Sequence, residues 1–112
     1  MKDTLFVFRP SFEDRRTTYF CPYSAQVIGF LTYYPQVRDT LDIVELDFPK
    51  PRHPLVDVLG ETHQAPPMLV LAGEATSVPN VTVGHHEGRA FVEKTMEIIR
   101  YLAATRRVPG PH

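Results

Sequence analysis

The sequence predicts an α/β fold: a four-stranded mixed sheet flanked by three helices, in the order β-α-β-α-β-β-α. Three observations predict it. Leu5-Phe6-Val7-Phe8 and Met68-Leu69-Val70-Leu71 are continuous apolar runs, the pattern of strands buried on both faces. Asp42 to Phe48 alternates, with Val44, Leu46 and Phe48 on one face and Glu45 and Asp47 on the other, as a half-buried strand near a sheet edge does. Two longer stretches, 22–34 and 93–104, carry apolar residues at helical spacing.

Each element follows from local chemistry. The first strand, residues 5–8, ends at Arg9-Pro10, and residues 10–20 have no clear period and read as a loop. From Pro22 to Tyr34, Val27, Ile28, Leu31 and Tyr34 mark a helix, and Pro35 suits its end. Gly29 inside it costs roughly 1 kcal/mol against alanine, which points to close packing on the sheet. Pro49-Lys50-Pro51 ends the second strand. Leu55, Val56 and Leu59 make a short helix from Pro54, with Gly60 as its C-cap. A double proline, Pro66-Pro67, opens the third strand. Residues 73–88 hold three glycines and little pattern, with Val81-Thr82-Val83 as a candidate extra strand. Arg89-Ala90-Phe91-Val92 is the last strand, and Met96, Ile99, Leu102 and Ala103 face one side of the last helix. The first two strands should be parallel, joined by a right-handed crossover, and the last two antiparallel. The domain spans 1–105, and 106–112, with Pro109-Gly110-Pro111, reads as a flexible C-terminal tail.

Bulk properties narrow the function. At 112 residues, 43% hydrophobic and 22% charged, the chain has the composition of one globular domain. A net charge of −1 argues against a general nucleic-acid footprint, which needs a basic excess. No apolar run reaches membrane-spanning length and no signal-peptide pattern opens the sequence, so the expected location is cytoplasmic. A single cysteine forms no internal disulfide. The histidines lack metal-ligand spacing: His85 and His86 are adjacent, and no i, i+4 pair or Cys-x-x-Cys accompanies them, so no metal site is expected.

That cysteine is the one candidate reactive thiol, with a partly buried, unreactive cysteine as the alternative. Cys21 precedes Pro22 at the start of a helical run, with Tyr23 and Ser24 following. A cysteine at a helix N-cap faces unpaired backbone N–H groups, and the positive end of the helix favours the thiolate of such a residue. Pro22 suits the first helical position, where its missing N–H has no partner to lose.

Taken together, Cys21-Pro22-Tyr23-Ser24 at a helix start and Pro67 before an apolar strand resemble the thioredoxin-like superfamily, over Thr4 to Ala104. The tetrapeptide is similar to the glutaredoxin motif Cys-Pro-Tyr-Cys with its second cysteine replaced by Ser24. Gly60-Glu61, Gln64 and Pro67 resemble the corresponding stretch of small uncharacterised bacterial thioredoxin-like domains. The last helix, around Ile98 and Tyr101-Leu102, is similar to that of glutathione-transferase N-terminal domains.

The resemblance implies Cys21 as nucleophile with Ser24 beside it, and Pro22, Tyr23, Pro66, Pro67 and Thr95 as substrate-binding positions. Two departures stand against it. Lys94 replaces the glutamate that meets the glutathione amine, and Pro66 has no N–H to pair with substrate backbone. With no cysteine at 24, only monothiol exchange is open, with no cofactor but with glutathione as a candidate co-substrate or a thiol-containing protein as partner. Tyr19, Phe20 and Tyr23 can line a groove or pack in the core, and Arg9, Arg15 and Arg16 can hold an anion or stay solvated. A non-catalytic thioredoxin-like module that binds a peptide or protein in the same groove stands as the alternative. Homodimerisation through an edge strand or an apolar helix face is also open.

Overall fold

The computed structural model describes residues 1–112. In chain order the elements are β1 (Asp3–Phe8), β2 (Phe12–Asp14), β3 (Thr17–Tyr19), α1 (Pro22–Tyr33), α2 (Pro35–Arg38), β4 (Leu41–Leu46), α3 (Leu55–Leu59), β5 (Met68–Val70), β6 (Gly84–His86), β7 (Arg89–Val92) and α4 (Thr95–Arg106). The α/β class holds. The expected counts do not: the main sheet has five strands, in the order β4-β1-β5-β7-β6, a separate hairpin pairs β2 with β3, and there are four helices.

β1 runs parallel to β4 in the register Asp3–Leu41 to Phe8–Leu46, and antiparallel to β5. β7 pairs antiparallel with both β5 and β6. Period-two alternation divides each inner strand between two cores. Leu5 and Val7 of β1 join Leu69, Val92, Val27, Leu31 and Ile98 beneath α1 and α4. Phe6 joins Met68, Val70, Phe91, Leu55 and Leu59 on the opposite face, beneath α3. Both faces of β1 and β5 are thus covered, which is why their sequences are continuously apolar rather than alternating. β4, at the sheet edge, is not divided into one apolar and one polar face as expected: Leu41 and Ile43 pack on the larger core, Val44 and Leu46 on the smaller.

Four local expectations are corrected. Residues 12–19, read as loop, form the β2–β3 hairpin, turning at Arg15 (φ 51°) and Arg16 (φ 65°). Two successive left-handed residues make a turn whose twist matches that of the strands it joins. The extra strand lies at Gly84–His86 rather than 81–83, since Glu87 (φ 49°) and Gly88 (φ 79°) form a second such turn and bring β6 back onto β7. Pro35 does more than stop α1: Tyr34 caps a further turn, α2, which buries Val37. Gly29 does not pack closely on the sheet, because a Cβ built there meets nothing within 4 Å.

At the C-terminal end, Arg106 belongs to the last turn of α4 rather than to a tail. Arg107 adopts the left-handed conformation, and its N–H and that of Val108 both donate to the Ala103 carbonyl. Val108 packs against the larger core. Within α4 the buried side chains are Ile98, Ile99, Tyr101, Leu102 and Ala103, whereas Met96 is exposed. Arg106 Nη2 pairs with Asp3 Oδ2 at 3.0 Å, Arg106 Nε donates to Thr40 Oγ1, and Asp3 Oδ1 accepts the Ala72 N–H. These contacts tie β1, the β4 entry, the end of β5 and α4 together. No helix is long and apolar enough to cross a membrane.

Candidate functional site

Cys21 is the N-cap of α1, with extended backbone (φ −84°, ψ 114°) and Pro22 beginning the helix. The Ser24 N–H donates to Cys21 Sγ at 3.4 Å, and the Ala25 N–H donates to the Cys21 carbonyl at 3.0 Å. The sulfur therefore takes up a backbone donor that a helix start otherwise leaves without a partner. Cys21 is partly exposed, and its neighbours Tyr19, Phe20 and Tyr23 are 50%, 63% and 58% exposed. Their rings lie on the surface around the thiol rather than in the core.

Ser24 is different. It is 4% exposed, and its Oγ accepts the Phe8 N–H at 3.1 Å, fastening the first turn of α1 to the end of β1. Its backbone faces the thiol while its hydroxyl secures the strand.

Cys21 and Ser24 border a cavity of about 580 Å³ between α1 and the β1–β4 edge. Val7, Phe8 and Ile43 line it from the strands, and Ala25, Ile28 and Phe20 from the helix side. Arg9, Arg38 and Glu45 supply its charge. Arg9 is held by two carboxylates: its Nε is 2.7 Å from Asp47 Oδ1 and its Nη1 is 3.6 Å from Glu45 Oε1. The hydrogen bond to Asp47, that residue's charge and, more weakly, Glu45 raise the Arg9 pKa against a small opposing effect of burial.

Residues 2–110 match the family model described as "Protein of unknown function (DUF3088)". The chain belongs to the DUF3088 family. The match spans every element from β1 through α4 and includes Val108, in keeping with the packing of that residue on the core. Comparison with curated proteins and with solved structures found no match.

The remaining sequence-predicted positions of this DUF3088 chain are not among the residues that border the cavity. Pro22, Tyr23, Pro66, Pro67 and Thr95 do not line it. Pro66 and Pro67 are both buried, joined by a cis peptide bond at the entry to β5. Thr95 is the first residue of α4 and half-buried, and Lys94, the N-cap, makes no side-chain capping bond. Arg15 and Arg16 stand on the exposed hairpin turn. His53 pairs with Asp57 (2.8 Å) and His63 with Glu93 (3.5 Å), while His85 and His86 are on β6. No three His, Cys, Asp or Glu side chains converge.

Arg38 and Glu45 escaped sequence reasoning because they reach the cavity from α2 and β4, with no spacing relation to Cys21. Arg52 was missed too. Its guanidinium lies 4.8 Å from the Phe8 ring centroid and 5.0 Å from that of Phe48. Its Nε donates to the Phe48 carbonyl and its Nη1 to the Gln64 carbonyl. Burial lowers its pKa. Phe48 in turn stacks on Phe12 of β2 (centroids 4.6 Å, planes 2° apart), so Arg52 and three aromatic rings hold the hairpin that leads to Cys21.

Proposed function

We propose that this DUF3088 chain is a thioredoxin-like domain whose Cys21 performs monothiol exchange. The observation that carries the reading is the Cys21 sulfur itself: N-cap of α1, facing the Ser24 N–H, partly exposed and bordering a cavity. The order β4-β1-β5-β7, with β1 and β4 parallel and β5 and β7 antiparallel, supports the thioredoxin-like assignment, as does a proline immediately before β5.

The chemistry is balanced without a redox cofactor. The Cys21 thiolate attacks one sulfur of a disulfide RS–SR′; the Cys21–S–SR bond forms, the S–S bond of the substrate breaks, and R′S⁻ leaves. A second thiolate, R″S⁻, then attacks the RS sulfur, giving RS–SR″ and restoring the Cys21 thiolate. Glutathione is a suitable second thiol. Pro22 and Tyr23 flank the nucleophile in this reading, and Pro66, Pro67 and Thr95 are the substrate-side positions implied by the resemblance.

A second reading, a non-catalytic module that binds a peptide or protein, is favoured by one observation. Pro66 offers no N–H and is buried, so the backbone pairing expected there with a substrate lacks its donor. The exposed Tyr19, Phe20 and Tyr23 rings would then serve as contact area.

The test is glutathione-dependent reduction of bis(2-hydroxyethyl) disulfide by the wild-type chain and by Cys21→Ser. Turnover that disappears in C21S is the result expected of a monothiol enzyme. Absence of turnover in the wild type, with retention on glutathione resin not competed by free glutathione, overturns the exchange reading in favour of the second.

A further inference from the structure

We infer that the cavity beside Cys21 is a binding site for a small monocarboxylate with an apolar body, whose acid group is met by Arg38. The cavity's volume, about 580 Å³, falls within the range of small-molecule sites, and such sites combine apolar walls with a few placed polar groups. Here Val7, Ile28 and Ile43 furnish the walls.

The two arginines of the cavity differ in what they touch. Arg9 is engaged by Asp47 and Glu45. Arg38 is exposed, forms no ion pair and makes no side-chain hydrogen bond, so its five N–H donors face solvent and the cavity. A planar guanidinium without a partner at the rim of an apolar cavity matches a carboxylate in two-point geometry. With Glu45 3.6 Å from Arg9, Arg38 is the unpaired charge of the cavity, which suits a single carboxylate better than a dicarboxylate or a phosphate dianion. A bound acid would lie against Cys21. The inference does not need that thiol to turn over.

Octanoate is the probe, with octanamide as its uncharged counterpart. Binding is followed by amide shifts in ¹⁵N-labelled protein and, separately, by the rate of Cys21 alkylation with iodoacetamide. Octanoate is expected to bind at least tenfold more tightly than octanamide, to shift the amides of Val7, Ile28 and Ile43, and to slow alkylation. Arg38→Gln should remove the advantage of octanoate over octanamide. Ala25→Phe, at an exposed helix position on the cavity wall, should abolish both.

Equal binding of acid and amide by the wild type overturns the inference, as does an R38Q protein that keeps the preference or an A25F protein that still binds. Disulfide reduction measured without octanoate tests the exchange reading alone. Amide shifts do not depend on thiol reactivity, so either proposal can fail while the other stands.

Discussion

Ser24 Oγ, in the first turn of α1, accepts the backbone N–H of Phe8, the last residue of β1, at 3.1 Å. Ser24→Ala leaves that N–H without its side-chain acceptor in a partly buried setting, where an unmet donor costs about 1–3 kcal/mol. The urea midpoint should fall accordingly. An unchanged midpoint would mean that the strand end draws nothing from this serine.

Gly29 lies in the interior of α1, and a Cβ there has open space around it. Gly29→Ala should stabilise the fold by up to ~1 kcal/mol through lower backbone entropy in the unfolded chain. Thermal unfolding is the check; a lowered Tm would show that the glycine meets a constraint other than packing.

Gly84 is the opposite case. A Cβ at this position would stand 2.5 Å from the Phe91 ring, which is buried in the smaller core. Gly84→Ala should destabilise by about 1–3 kcal/mol as the ring is displaced. The same contact explains a gap in what the sequence reveals. β6 carries no hydrophobic pattern because its first residue contributes only backbone beneath Phe91, and its other two are the histidines His85 and His86.

Arg52 stacks on Phe8 and Phe48 and donates to two carbonyls, with no carboxylate partner. Arg52→Lys retains the charge but loses the planar face and the fork of donors. Both R52K and Arg52→Ala should unfold at lower denaturant, by ~1–3 kcal/mol for the alanine, with lysine recovering less than half. Full recovery by lysine would make charge, not stacking, the operative property. Faster proteolysis within 12–19 in R52A would link the stack to the hairpin that precedes Cys21.

These sites mark what was legible in the chain. β1, β4, β5, β7, α1, α3 and α4 each announce themselves through apolar periodicity, because each contributes a face or two to a core. The β2–β3 hairpin does not, since its turn is Arg15-Arg16 rather than Asn-Gly and its fixing contact, Phe12 on Phe48, joins residues far apart in sequence. Cys21 was visible because its chemistry is local to a helix start. The bond from Phe8 to Ser24 and the unpaired guanidinium of Arg38 arise only when β1, α1 and α2 are brought together.

The pairing of Asp3 with Arg106 bears on how the chain is made. β1 is synthesised before everything it packs against, and its ion partner follows 103 residues later. A nascent chain therefore carries a two-faced apolar strand whose pairing partners β4 and β5 are still to be translated. Its charged end is secured only once α4 has left the ribosome. During that interval Leu5 to Val7 present apolar side chains on both faces, the kind of segment a holdase chaperone binds.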